Sequence, residues 1–139
     1  METKTNVTVE AKINAPVEKV WQLWNDPKHI VKWTTASDDW HTPKAENDLK
    51  VGGAFLTRME AKDGSFGFDF EGVYDVVDTH KSIEYTMSDG RKVKILFKTQ
   101  EGVTEIVETF DAEQMNPVEM QREGWQSILN NFKKHVENN

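Results

Sequence analysis

The stretch that most constrains this chain is its last helical segment, Pro117 to Glu137. Asn116 can cap it, Pro117 suits the first helical position, and Glu119 stands where a capping-box acid belongs. Met115 and Met120 have the spacing of a hydrophobic staple. Val118, Trp125, Ile128, Leu129, Phe132 and Val136 then recur on one face of a 3.6-residue repeat, which makes Trp125 the expected grip of the helix. Lys133, Lys134 and His135 place positive charge at the negative helix end. At ~1.5 Å per residue the helix spans roughly 30 Å, enough to cross a small domain. A helix with one apolar face needs a sheet to lie on, and the middle of the chain supplies strands.

Thr5 to Ile13 alternates, with Val7, Val9, Ala11 and Ile13 on one face, as in a half-buried strand. Asn14-Ala15-Pro16 ends it and opens a helix carrying the stripe Val17, Val20, Trp21 and Trp24. Pro27 stops that helix, and Asp26 can cap a second, short one through Trp33. From Thr34 to Val51 the pattern is weak. It suggests a short edge strand over Ser37–Thr42, then a polar loop through Pro43 and Asn47-Asp48. Gly52-Gly53 marks a tight turn. Strands are expected at Ala54–Glu60, Phe66–Val77, Ser82–Met87, Arg91–Thr99 and Val103–Phe110. Asp63-Gly64 and Asp89-Gly90 are strong hairpin signals, Glu101-Gly102 a weaker one, and Gly72 suggests a bulge or bend. Helices segregated from a meandering sheet make the fold α+β, and a length of 139 residues fits one domain over residues 1–139.

Composition narrows function mainly by exclusion. A net charge of −7 argues against nucleic acid as a partner. With no cysteine there are no disulfides or thiolate metal sites. No apolar run is long enough for a membrane span or follows a basic segment as in a signal peptide, so a cytoplasmic protein with no membrane partner is expected. No nucleophile elbow, P-loop, dinucleotide fingerprint or metal-ligand spacing appears, and no cofactor or metal is expected.

Ile13-Asn14-Ala15-Pro16 with Val20-Trp21 resembles the opening signature of the SRPBCC (START-like, helix-grip) superfamily. Asp26-Pro27 through Trp33, Asn47-Asp48-Leu49 with Val51-Gly52-Gly53, and Phe70-Glu71-Gly72-Val73-Tyr74 continue the likeness. So do Asp89-Gly90-Arg91, Glu108-Thr109-Phe110, and Gly124-Trp125 with Ile128-Leu129. Within the superfamily the chain is most similar to the bacterial branch related to the activator of heat-shock-protein-90 ATPase, which links it to stress response. The resemblance implies a curved antiparallel sheet gripping the C-terminal helix, with an internal cavity where superfamily members hold lipids, sterols, hormones or polyketides. It also implies two alternatives: a cyclase/aromatase-like or hydrolase-like enzyme, and a module that activates a chaperone ATPase, with the chaperone as partner.

Under that fold, Gln121, Gly124, Trp125, Ile128 and Leu129 are expected on the helix side of the cavity. The sheet wall would draw on Phe55, Phe68, Phe70, Tyr85, Met87 and Phe97, with Ile95 and Val107 as further candidates; Trp33 and Trp40 would close it. Gly124 would leave space and Gln121 would offer a polar contact, the alternative being that Gly124 lets the helix approach a strand. The expected ligand is a small apolar or amphipathic molecule, and no residue is assigned a catalytic role. His41, beside Asp38, Asp39 and Trp40, reads as part of an exposed edge rather than as an acid–base group. An enzyme would need a polar group in the cavity, with His41, Tyr85 or Glu108 the candidates. Glu105 and Glu108 lie on opposite strand faces, so one points inward, where Arg58 or Arg91 could pair it.

Overall fold

The computed structural model describes residues 5–35 and 37–139. The chain runs β1 (Asn6–Ile13), α1 (Val17–Asn25), α2 (Pro27–Trp33), β2 (Trp40–Asn47), β3 (Ala54–Ala61), β4 (Gly67–Asp78), β5 (Ser82–Met87), β6 (Lys92–Gln100), β7 (Val103–Asp111) and α3 (Val118–Glu137). The strands form one antiparallel sheet in the order β1-β7-β6-β5-β4-β3-β2. Strands β2 to β7 are therefore a meander, and β1 closes it by pairing with β7, from Asn6 opposite Asp111 to Ile13 opposite Thr104. The sheet curls into a half-barrel around α3, while α1 and α2 carry the chain from one edge strand to the other. This is the α+β helix-grip architecture.

Alternation sets which face turns inward. Val7, Val9, Ala11 and Ile13 are buried on β1, and Thr104, Ile106, Glu108 and Phe110 on β7. The short helices are fastened by side chains. The Asp26 carboxylate caps α2 by accepting from the Lys28 N–H at 3.0 Å, and the Trp33 indole donates to the Leu23 carbonyl at 3.1 Å. Phe132 of α3 sits edge-on between Trp24 and Trp33, with ring centroids 4.8 and 4.7 Å away.

Several local expectations are corrected. Helix α3 begins at Val118 after Pro117, with no side-chain cap; the Asn116 amide donates to Glu113 instead. Met115 is 91% exposed, so no staple forms. Strand β2 runs through the stretch expected to be loop: a register shift between His41 and Lys44 accommodates Pro43, and an edge position tolerates its missing N–H. Asp63 and Asp89 act as acceptors for the N–H groups two residues on, so only their glycines take positive φ. The Glu101-Gly102 pair has positive φ at both positions, the geometry of the tighter hairpin turn.

Gly53 is required sterically, since a Cβ there would lie 2.1 Å from the Asp48 carbonyl oxygen. Gly72 is not itself the bulge; the register of β4 shifts between Tyr74 and Val76. A Cβ on Gly72 would meet the Thr86 carbonyl at 2.7 Å and the Phe55 ring at 3.0 Å, so the residue allows β4 and β5 to close under Phe55.

Candidate functional site

Between the concave sheet face and the N-terminal half of α3 lies a cavity of about 340 Å³. That is within the roughly 300–1,000 Å³ usual for small-molecule sites. Alternate residues of neighbouring strands form its floor. Phe55, Thr57 and Met59 come from β3, and Phe68, Phe70 and Tyr74 from β4. Strand β5 adds Ile83, Tyr85 and Met87. Trp24, Ile30 and Trp33 close one end, and Gln121, Trp125, Ile128 and Leu129 cover the top. Phe68 is 39% exposed and Asn116 also lies in solvent, so the cavity opens along that edge.

The walls are interlocked aromatics. Phe55 meets Tyr85 edge-on at 4.7 Å and lies 5.3 Å from Tyr74. Trp125 stacks on Phe110, with centroids 3.9 Å apart and planes within 10°, and turns an edge toward Phe70 at 6.0 Å.

Most expected wall residues are brought together here: Trp33, Phe55, Phe68, Phe70, Tyr85 and Met87, and on α3 Gln121, Trp125, Ile128 and Leu129. Three lie elsewhere. Phe97 packs beneath α1 against Trp21 and Trp24, at 5.1 and 5.9 Å. Trp40 sits on the edge strand, 6.0 Å from both Phe66 and Phe68. Gly124 is off the wall, and a Cβ there would meet nothing within 4 Å, so it neither borders the cavity nor marks a close approach. Val107 turns to the convex face, and Ile95 is core.

Gln121 borders the cavity, but its amide is occupied. It accepts from the Glu113 N–H at 2.8 Å and donates to the Glu113 and Asn116 carbonyls at 3.2 and 2.8 Å, tying the β7–α3 loop to the helix. The Tyr74 hydroxyl donates to Asn47, whose amide donates to the Asn25 carbonyl at 2.8 Å.

The inward acid of β7 is Glu108, which lines the cavity and is 6% exposed. Neither expected arginine pairs it. Arg58 binds Glu60 and Asp69 on the convex face, and the Arg91 Nε donates to Asp89 at 2.7 Å. Burial alone pushes the Glu108 carboxyl up to about 8, so it is protonated at neutral pH. Tyr85, also deeply buried, is raised well above its ordinary value by burial first and then by the nearby Glu108 and Tyr74, with Arg91 acting the other way. A carboxyl that keeps its proton at pH 7 can donate a hydrogen bond or a proton. The alternation of β7 was the signal that one of Glu105 and Glu108 turns inward; that it has no ionic partner among the described residues depends on where the arginines go.

His41 is exposed on β2, 3.5 Å from Glu60, and Asp38 and Asp39 are exposed beside it. Among the described residues no group of three or more His, Asp or Glu could hold a metal ion, and no helix is long and apolar enough to cross a membrane.

A curled sheet closed by one long helix over an aromatic cavity defines a helix-grip container, a fold that in general serves ligand-binding domains. The chain belongs to the Activator of Hsp90 ATPase homolog 1-like protein family, whose pattern matches residues 14–137. It is similar to the AHSA1-like protein of Aeromonas hydrophila, at 46% identity over 96% of this chain and 93% of that one, with a TM-score of 0.90. A Cytophaga hutchinsonii protein is 57% identical over 96% and 92% of the two chains, with a TM-score of 0.84. A Chromobacterium violaceum protein, 23% identical over 96% and 98%, shares the fold with a TM-score of 0.86. No curated protein matches the chain.

Proposed function

We propose that this protein binds a small apolar or amphipathic molecule in the cavity between the sheet and α3. The observation that carries the reading is the cavity itself: about 340 Å³, walled by aromatic side chains, open at one edge, with few polar groups free inside. Apolar concavity with a small number of placed polar groups is the usual make-up of a small-molecule site. Binding of an apolar molecule, not catalysis, is the activity this arrangement supports best. His41 lies outside the cavity, and Glu108 has no base or nucleophile paired with it among the described residues.

Native mass spectrometry of protein purified from its own host tests this, with a co-purifying small molecule as the expected result. In parallel, an apolar fluorescent dye should enter the wild-type cavity. Ile128→Trp, which adds bulk on the α3 wall, should keep the fold and exclude the dye. Undiminished uptake by a folded Ile128→Trp protein would overturn the reading.

A second reading has one observation in its favour. Phe66 is 61% exposed and shares an aromatic cluster with Phe68 and Trp40 at the sheet edge. An interaction module for an Hsp90-type chaperone would use such a patch. It predicts that Phe66→Ser abolishes chaperone ATPase stimulation while leaving dye uptake intact.

A further inference from the structure

Buried polar groups nearly always have a hydrogen-bond partner, so an exception requires an explanation. The cavity wall holds three: Tyr85, Glu108 and, two strands from Tyr85 on β3, the Thr57 hydroxyl. Tyr85 of β5 and Glu108 of β7 are 7% and 6% exposed, and neither side chain has a hydrogen-bond partner among the described residues. Among the described residues no buried side-chain oxygen or nitrogen is cut off from both a partner and open space, so the oxygens of both residues open into the cavity. Their strands flank β6, where Val93 lies opposite Tyr85 and Ile95 opposite Glu108. Both side chains therefore rise from the same concave floor beneath α3. Tyr74, Asn47 and Gln121 are engaged within the protein, and the Thr57 hydroxyl, free among the described residues, stands on β3 opposite Phe70, away from the β5–β7 floor that carries Tyr85 and Glu108.

We propose that Tyr85 and Glu108 form a donor pair that holds the carbonyl oxygen of an apolar ligand inside the cavity. The inference rests on the cavity being a ligand site and adds the chemical class of what enters it. A hydroxyl and a carboxylic acid each present one O–H, and a carbonyl oxygen carries two lone pairs and no proton, so it can accept from both. A tyrosine hydroxyl keeps its proton at neutral pH with or without burial, and burial keeps the proton on Glu108, so both are donors. A ligand carboxylate is disfavoured, because Glu46, Glu108 and Glu113 line the cavity against Arg91 alone, whose Nε already serves Asp89. An ammonium would need Glu108 ionised in a desolvated place, with Arg91 near Tyr85. The titratable groups facing the pair are Tyr74 on β4, Arg91 ahead of β6, and Glu46 and Glu113 at the rim; α1, α2 and α3 add none to the wall.

The test uses a shape-matched set: acetylnaphthalene, isopropenylnaphthalene, naphthoate and naphthylethylamine. Affinities are measured on the full chain by tryptophan fluorescence. The ketone should bind about 10-fold tighter than the alkene, and its infrared C=O stretch should fall on binding, as two neutral hydrogen bonds require. Tyr85→Phe and Glu108→Met should each weaken the ketone roughly 3- to 10-fold and leave the alkene unchanged. Glu108→Gln, which keeps a donor, should retain most of the preference. In the wild type the ketone preference should decline above about pH 8, where Glu108 loses its proton, and in Glu108→Gln it should not. Equal binding of ketone and alkene, or tightest binding of the amine, would overturn the donor pair and leave the cavity reading standing. If no member of the set binds, the cavity reading falls and the donor pair falls with it.

Discussion

The two halves of α3 cover the same sheet but meet different surroundings. In the C-terminal half Leu129, Phe132 and Val136 are fully buried, and Phe132 is clasped by Trp24 and Trp33. Polar ties hold this half down: Lys133 donates to the Lys12 carbonyl at 2.6 Å, and Glu137 accepts from the Asn14 N–H at 2.9 Å. In the N-terminal half the only buried residue is Gln121, Met120 is exposed, and Trp125 and Ile128 are half-buried over open space. One continuous helix thus seals the core at one end and roofs a cavity at the other. The anchored half keeps the fold in register, which allows the other half to leave volume unfilled.

The largest expected effect falls on the sealed half. Phe132→Ala should cost about 3–5 kcal/mol in a denaturant melt, since it empties a closed aromatic site. Trp125→Ala should cost less, about 1–3 kcal/mol, because its ring already borders open space and loses mainly the stack on Phe110. Equal losses at the two positions would break the comparison.

Glu108 sharpens it from the sheet side. Its folded value, about 8, is above the ordinary 4.5, so the folded state holds the extra proton between those values. Stability from this group is therefore full below about pH 4.5 and declines as pH rises to about 8. Glu108→Met should be more stable than wild type at pH 8, by on the order of 2–3 kcal/mol, with the gain shrinking toward pH 5. A wild-type melt with no such slope relative to Glu108→Met would show that the carboxyl is solvated or paired.

Gly124→Ala should stabilise by roughly 0.5–1 kcal/mol and leave dye uptake unchanged, because the position is helical and an added Cβ meets nothing. The smallest effect belongs to the anchored end. His29 Nδ1 and His135 Nε2 are 2.9 Å apart, a bond that needs one ring neutral. Burial, then His29 and Lys32, lower His135 below its ordinary 6.5. Its folded value is depressed and the group is a base, so stability is intact above about 6.5 and lost as pH falls below it. A slight drop in the melting temperature over that window, absent in His135→Gln, is the expected result; a flat profile would remove the pair's role.

Much of the fold was legible. The alternation of β1, the Asp26 cap, the strands from Ala54 onward and the apolar stripe of α3 all reflect local periodicity and capping chemistry. Strand β2 was legible only at its start, over residues 40–42, because an edge strand has one pairing partner, and a proline with few apolar residues satisfies it as well as a loop would. Within the site, ten of the thirteen expected residues line the cavity. Phe97 and Trp40 escaped because alternation tells which face a side chain takes and not which element lies above it. Phe97 lies under α1, and Trp40 is beyond the rim.

By itself, then, the order of residues determined the elements other than most of β2, their inward faces and the family, since these depend on spacing along the chain. Only the tertiary structure decided what those inward faces meet. Gln121 became a loop tie, Gly124 an open position, and Glu108 a neutral acid without an arginine. Each outcome depends on distances between residues far apart in sequence. Arg58 and Arg91 could both have reached an inward carboxylate; the side of the sheet on which Arg58 falls and the Asp89 beside Arg91 left Glu108 facing the cavity instead.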